Sequence, residues 1–108
     1  MKSRIMYIEF KGDNGISGPA RIGRVEFSQT GKSLYYRGKT FRSLKGYGFK
    51  SNYYDVATGE HYWISGCKKR GDDQLYGGTT QIDEDVQEEY WTAIRKSPGR
   101  RHEKTVRC

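Results

Sequence analysis

Apolar and polar residues alternate with a period of two along most of this chain. From Arg4 to Lys11 the run contains Ile5, Met6, Tyr7, Ile8 and Phe10, with Met6, Ile8 and Phe10 on one face, which predicts a strand. Gly12-Asp13-Asn14-Gly15 breaks the run, and Gly18-Pro19 prolongs the loop. Ala20 to Gln29 alternates again, with Gly23, Val25 and Phe27 opposite Arg24 and Glu26, the pattern of a half-buried strand. Beyond the turn Thr30-Gly31-Lys32, the segment Ser33 to Leu44 holds two apolar stretches, Leu34-Tyr35-Tyr36 and Thr40-Phe41, separated by Arg37-Gly38. A tight turn is expected there, with a bent strand as the alternative. A two-residue hairpin loop needs positive φ at both central positions, and Arg suits the first of them poorly.

Lys45-Gly46-Tyr47-Gly48 predicts another loop, and Asn52 to Lys69 is the clearest hairpin. Tyr53-Tyr54-Asp55-Val56 leads in and Glu60-His61-Tyr62-Trp63-Ile64-Ser65 leads out. Asp55 can close the turn through its carboxylate, and Gly59 supplies a left-handed residue. Arg70-Gly71-Asp72-Asp73 and Gly77-Gly78 read as loop around a short Leu75-Tyr76, and Thr79 to Ile82 as a last short strand. The period then changes. Val86, Tyr90, Ala93 and Ile94 form one helical stripe, Asp83 is placed to cap its start, and Ser97-Pro98-Gly99 stops it. Short strands about ten residues apart followed by one helix predict a mainly β fold. The expected form is a small SH3-like or half-open β-barrel of five to six strands, with the C-terminal helix covering an open end or an edge. Residues 1–98 are expected to make this single domain and 99–108 a basic disordered tail.

Composition changes what the core can be made of. Of 108 residues, 33% are hydrophobic and 15 are aromatic, so aromatic rings must build much of the interior. Tyr36, Phe41, Tyr54 and Tyr62 are expected inside, Tyr35 and Tyr53 outside, and Trp63 half-exposed. The length leaves no room for a thiamine-, nicotinamide- or flavin-dependent enzyme of ordinary architecture, and no cofactor is expected. The N-terminal residues lack a signal-peptide pattern and no run is long enough to span a membrane, so a cytoplasmic protein without a membrane partner is expected. Cys67 and Cys108 form no CxxC pair, which argues against a zinc site, and no other metal site is expected.

Charge is unevenly spread. The formal net charge is +7, and residues 1–50 carry eleven basic and three acidic side chains. That imbalance points to a polyanionic partner, RNA or single-stranded DNA first. Basic and aromatic residues interleave in two segments: Tyr35, Arg37, Lys39 and Arg42 in one, and Tyr53, Trp63, Lys68, Lys69 and Arg70 in the other. Small barrels bind single strands by stacking bases on aromatic rings along a basic groove, so these nine residues are the candidate nucleic-acid-binding set. A protein-interaction module docking through the 53–66 hairpin or the helix is the alternative. A small RNase or toxin-like activity centred on Glu60 and His61 is the third reading, weakened because neighbours on a strand point to opposite faces. No catalytic residue is assigned.

The stretch Tyr53-Tyr54-Asp55-Val56-Ala57-Thr58-Gly59-Glu60-His61-Tyr62-Trp63-Ile64-Ser65-Gly66 resembles that of short uncharacterised bacterial proteins. So do Ile82-Asp83-Glu84-Asp85-Val86-Gln87-Glu88-Glu89-Tyr90-Trp91, Ile22-Gly23-Arg24-Val25 and Leu34-Tyr35-Tyr36. The resemblance spans about residues 3–96. It implies a bacterial cytosolic protein with no established activity, and it transfers no functional residue.

Overall fold

Strand β1 (Ser3–Gly12) is apolar on both faces, and the fold is built around it. The computed structural model describes residues 2–12, 20–44, 51–67 and 79–107. The expected loops over 13–19 and 45–50, the stretch 68–78 with Lys68, Lys69 and Arg70, and Cys108 lie outside the described residues. Seven further strands follow β1: β2 (Ala20–Phe27), β3 (Ser33–Tyr36), β4 (Lys39–Ser43), β5 (Tyr53–Asp55), β6 (His61–Gly66), β7 (Thr79–Ile82) and β8 (Thr105–Arg107). Each of β2 to β6 pairs antiparallel with the strand before it, and β6 returns to pair with β1. The result is a closed six-stranded antiparallel barrel, the mainly β architecture that the alternation predicts.

Two strands extend it. β7 runs parallel to the start of β2, with Arg21 opposite Gln81 and Ile22 opposite Ile82, on the edge that the short β3 leaves unpaired. β8 then pairs antiparallel with β7. The segment expected as a disordered tail is thus part of the sheet. Val106 in β8 is 2% exposed, which is why a single apolar residue holds a basic terminus in place.

The two faces of β1 feed two separate cores. Met6 and Ile8 point into the barrel, where they meet Val25, Leu34, Tyr36, Phe41 and Ile64, with Phe27, Tyr53 and Tyr62 at the margins. Ile5 and Tyr7 point outward and are covered by Ile82, Val86, Tyr90, Trp91 and Val106. Aromatic rings make up the shortfall of aliphatic side chains: Phe41 packs edge-on against Tyr62 with ring centres 4.8 Å apart.

The cover is a helical segment of changing pitch: a 3₁₀ turn (Glu84–Val86), one α turn (Gln87–Glu89) and a π turn (Tyr90–Ile94). The wide last turn alters the expected stripe. Trp91 turns inward and is fully buried, Ala93 turns out to solvent, and Ile94 is only half-buried. The Trp91 indole N–H donates to the Glu103 carbonyl at 2.9 Å, and the Arg100 guanidinium stands 4.3 Å above the ring. These contacts tie residues 98–107 back onto the helical segment.

The turns expected at Arg37-Gly38 and between Asp55 and Gly59 both form. Arg37 and Gly38 adopt φ of 49° and 79°, the left-handed pair that a two-residue hairpin needs, so the tight turn is correct and the bent strand is not. In the β5–β6 hairpin the Asp55 carboxylate accepts from the Ala57 N–H at 2.9 Å, and Gly59 has φ of 78°. The Asn52 side chain also both donates to and accepts from the Ile64 backbone, each at 2.8 Å, which extends the ladder beyond β5.

Candidate nucleic-acid interface

Strand register assigns each candidate residue to a face. Leu34 stands opposite Phe41 inside the barrel, so the alternate pairs on β3 and β4 point outward. Tyr35, opposite Thr40, is 37% exposed, as expected. Arg42, also on the outer face, stands opposite Tyr54 of β5, and Tyr54 stands opposite His61 of β6. Arg42, Tyr54 and His61 therefore form one row across three strands. Cross-strand neighbours in such a row lie within about 5.5 Å at their Cβ atoms. One step along the strands lies a second row with Tyr35, Thr40 and Val56; the Val56 N–H donates to the Thr40 carbonyl at 2.9 Å, and Val56 is 49% exposed.

The rest of the predicted set is divided by the fold. Tyr53 was expected outside and Tyr54 inside; the register reverses them. Asp55 is buried opposite Phe41, because its carboxylate closes the hairpin turn, and that fixes Tyr53 two residues earlier on the inner face beside Tyr62. Trp63 points outward opposite Glu9 but packs half-buried against the helix-covered core, so it belongs to a different surface. Arg37 and Lys39 sit at one mouth of the barrel rather than on the Tyr35 face. Glu60 and His61 separate as strand geometry requires: Glu60 lines that mouth, and His61 lies in the outer row with its Nδ1 3.3 Å from Ser51 Oγ.

Charge at the mouth is organised by Asp83. It occupies the N-cap position of the helical segment, yet its carboxylate caps no backbone N–H. Instead Arg21 Nε and Nη2 donate to Oδ1 at 2.8 and 2.7 Å, Arg37 Nη1 reaches the same oxygen at 3.3 Å, and the Tyr36 hydroxyl donates to Oδ2. Asp83 is buried, so this node is a set of charge-assisted bonds at the edge of the barrel core. Burial, and then the hydrogen bond to the carboxylate, push the Tyr36 hydroxyl up to about 12. Burial alone would pull the Arg21 guanidinium down, but its bonds to Asp83 and Tyr36 leave it raised overall. Gly23 makes the node possible: a Cβ there would lie 2.3 Å from Asp83 Oδ2 and 2.5 Å from Tyr36 Cε1. Sequence reading assigned Asp83 to helix capping and missed this role. Its signal is a Gly in the middle of an otherwise regular strand, which marks a close approach by another group.

Two recesses flank the node. One, about 700 Å³, is a shallow cleft in which Arg21, Arg24 and Arg37 face Asp83, Glu84 and Asp85. The other, about 480 Å³, opens into the barrel mouth, with Ile8 and Phe41 at its floor, Phe10, Tyr36 and Tyr62 as walls and Arg21, Arg37 and Lys39 at the rim. Elsewhere, Glu9 and Lys11 form a buried ion pair at 2.7 Å on the outer side of β1, with the Tyr7 hydroxyl donating to Glu9 at 2.7 Å. Among the described residues, no cluster of three or more His, Cys, Asp or Glu is placed to hold a metal ion. Among the described residues, no helix is long and apolar enough to cross a membrane. Comparison with family models, with curated proteins and with solved structures finds no match to this chain.

Proposed function

We propose that this barrel is a binding module for single-stranded nucleic acid, and that the strand lies across the outer face of β3 to β6. The observation that carries the reading is the row Arg42–Tyr54–His61 beside the exposed Tyr35: two phenol rings, a guanidinium and an imidazole on one sheet face. Aromatic rings on a β face accept bases of any sequence by stacking, and a guanidinium between them meets the phosphate. Arg37 and Lys39 add positive charge at the end of the same hairpin. Of the six candidate residues among the described ones, Tyr35 and Arg42 lie on this face; Tyr54 and His61 replace Tyr53 and Trp63.

The test is equilibrium titration of a fluorescent oligothymidylate. Tyr35→Ala and Tyr54→Ala should each weaken binding by about tenfold, the scale of one lost base stack. Arg42→Ala should lower the slope of log affinity against log salt by about one unit. A second reading, a protein partner, is favoured by the exposed Val56 next to Tyr35. It takes precedence if the wild type fails to bind the oligonucleotide at low salt.

A further inference from the structure

We infer that the barrel mouth is a separate pocket for one phosphorylated nucleotide, whether free or at the 5′ end of a strand. The inference goes beyond the sheet-face reading, with which it shares Arg37 and Lys39 but neither the recess nor its aromatic walls. The mouth is an open recess of about 480 Å³, a volume in the range of small-ligand pockets, and the mouths of β-barrels are a common place for them. Its walls carry Phe10 and Tyr62 as half-buried rings, with centres 5.3 Å apart and planes inclined by 59°, and both line the recess. Its rim carries Arg21, Arg37 and Lys39.

The rim cations are positioned rather than consumed by their partners. Buried Asp83 holds Arg21 through two nitrogens, which leaves Arg37 only the longer 3.3 Å contact to an oxygen already occupied. The Lys39 ammonium stands 3.6 Å from buried Asp55. The side chains of Arg37 and Lys39 remain 56% and 46% exposed, facing the recess and solvent, while both carboxylates lie behind them. A phosphate dianion entering the mouth offers these heads shorter contacts than those they have.

The Arg37-Gly38 turn requires positive φ at both positions, and Arg37 adopts 49°. That turn places the Arg37 guanidinium at the rim of the mouth, beside Asp83. The base would lie against Phe10 and Tyr62, and Glu60 on the rim can accept a hydrogen bond from an exocyclic amine.

The experiment titrates AMP and adenosine into the full chain by calorimetry, alongside oligothymidylates with a 5′-phosphate or a 5′-hydroxyl. AMP should bind at least tenfold more tightly than adenosine, and the 5′-phosphate should strengthen oligonucleotide binding by a similar factor. Arg37→Asn keeps a residue suited to the turn, so the hairpin should fold; it should weaken AMP binding at least fivefold and abolish the advantage of the 5′-phosphate. Lys39→Gln, at an exposed position, should act in the same direction and serves if the Arg37 variant unfolds. Equal binding of AMP and adenosine, no AMP binding at millimolar concentration, or no loss in both variants overturns the inference. Failure of the 5′-hydroxyl oligonucleotide to bind overturns the sheet-face reading instead, whatever AMP does.

Discussion

Tyr36 is held neutral by its surroundings, and that has a measurable consequence. Its hydroxyl donates to the buried Asp83 carboxylate, and the folded protein raises its pKa to about 12. An unfolded tyrosine ionises near pH 10. Because the fold favours the protonated form, the stabilisation from this bond is complete below about pH 10 and is lost as pH rises through about 12. Tyr36→Phe should cost about 1–3 kcal/mol at pH 8, since one carboxylate oxygen loses its donor. The gap between wild type and Tyr36→Phe should then close as denaturation is repeated toward pH 12. A gap that stays constant across that range would show that the hydroxyl is not bonded as described. Gly23 beneath the node leaves the space for it, and the mid-strand glycine was visible in the sequence. Its partner was not: nothing in Asp83 itself distinguishes a carboxylate that caps a helix from one that holds two arginines and a tyrosine across 62 and fewer residues of chain.

At the scale of elements, the expected strands coincide with β1 to β7 within the described residues: β1 to β6 turn a face to the barrel core, and the short β7 sets Ile82 in the second core. It could not show that β1 is covered on its second face; Ile5 and Tyr7 there simply continue the apolar run. The helical stripe was read correctly at Val86, Tyr90 and the half-buried Ile94 and failed at Ala93, because the π turn rotates Trp91 inward and Ala93 outward. β8 escaped altogether. A basic segment with one valine has the composition of a disordered tail, and only the unpaired edge of β7 and the site for Val106 make it a strand. Deleting residues 105–108 should therefore lower stability by about 1.5–3 kcal/mol, the scale of one fully buried valine, besides the lost ladder bonds. A urea midpoint equal to that of the intact chain would mean that β8 adds nothing to the sheet.

For the whole molecule, barrel closure decides which charges can act together. Among the described residues, several basic side chains of the first half are already paired with acidic ones. Arg24 pairs with Glu89 of the helical segment at 2.7 Å, Arg21 is committed to Asp83, and Lys11 is buried against Glu9. Net charge alone therefore overstated the surface open to a polyanion. The register, which the sequence could not supply beyond each hairpin, assembles Tyr35, Arg42, Tyr54 and His61 from four strands on the β3 to β6 face, the face we propose for binding. The most direct test of that assignment is a two-dimensional amide NMR titration with a 5′-hydroxyl oligothymidylate. Saturable, salt-sensitive shifts are expected, concentrated at Tyr35, Thr40, Arg42, Tyr54 and His61, with the amides of Val86 to Ile94 unmoved. Shifts centred on the helical segment, or none along β3 to β6 at low salt, would contradict it.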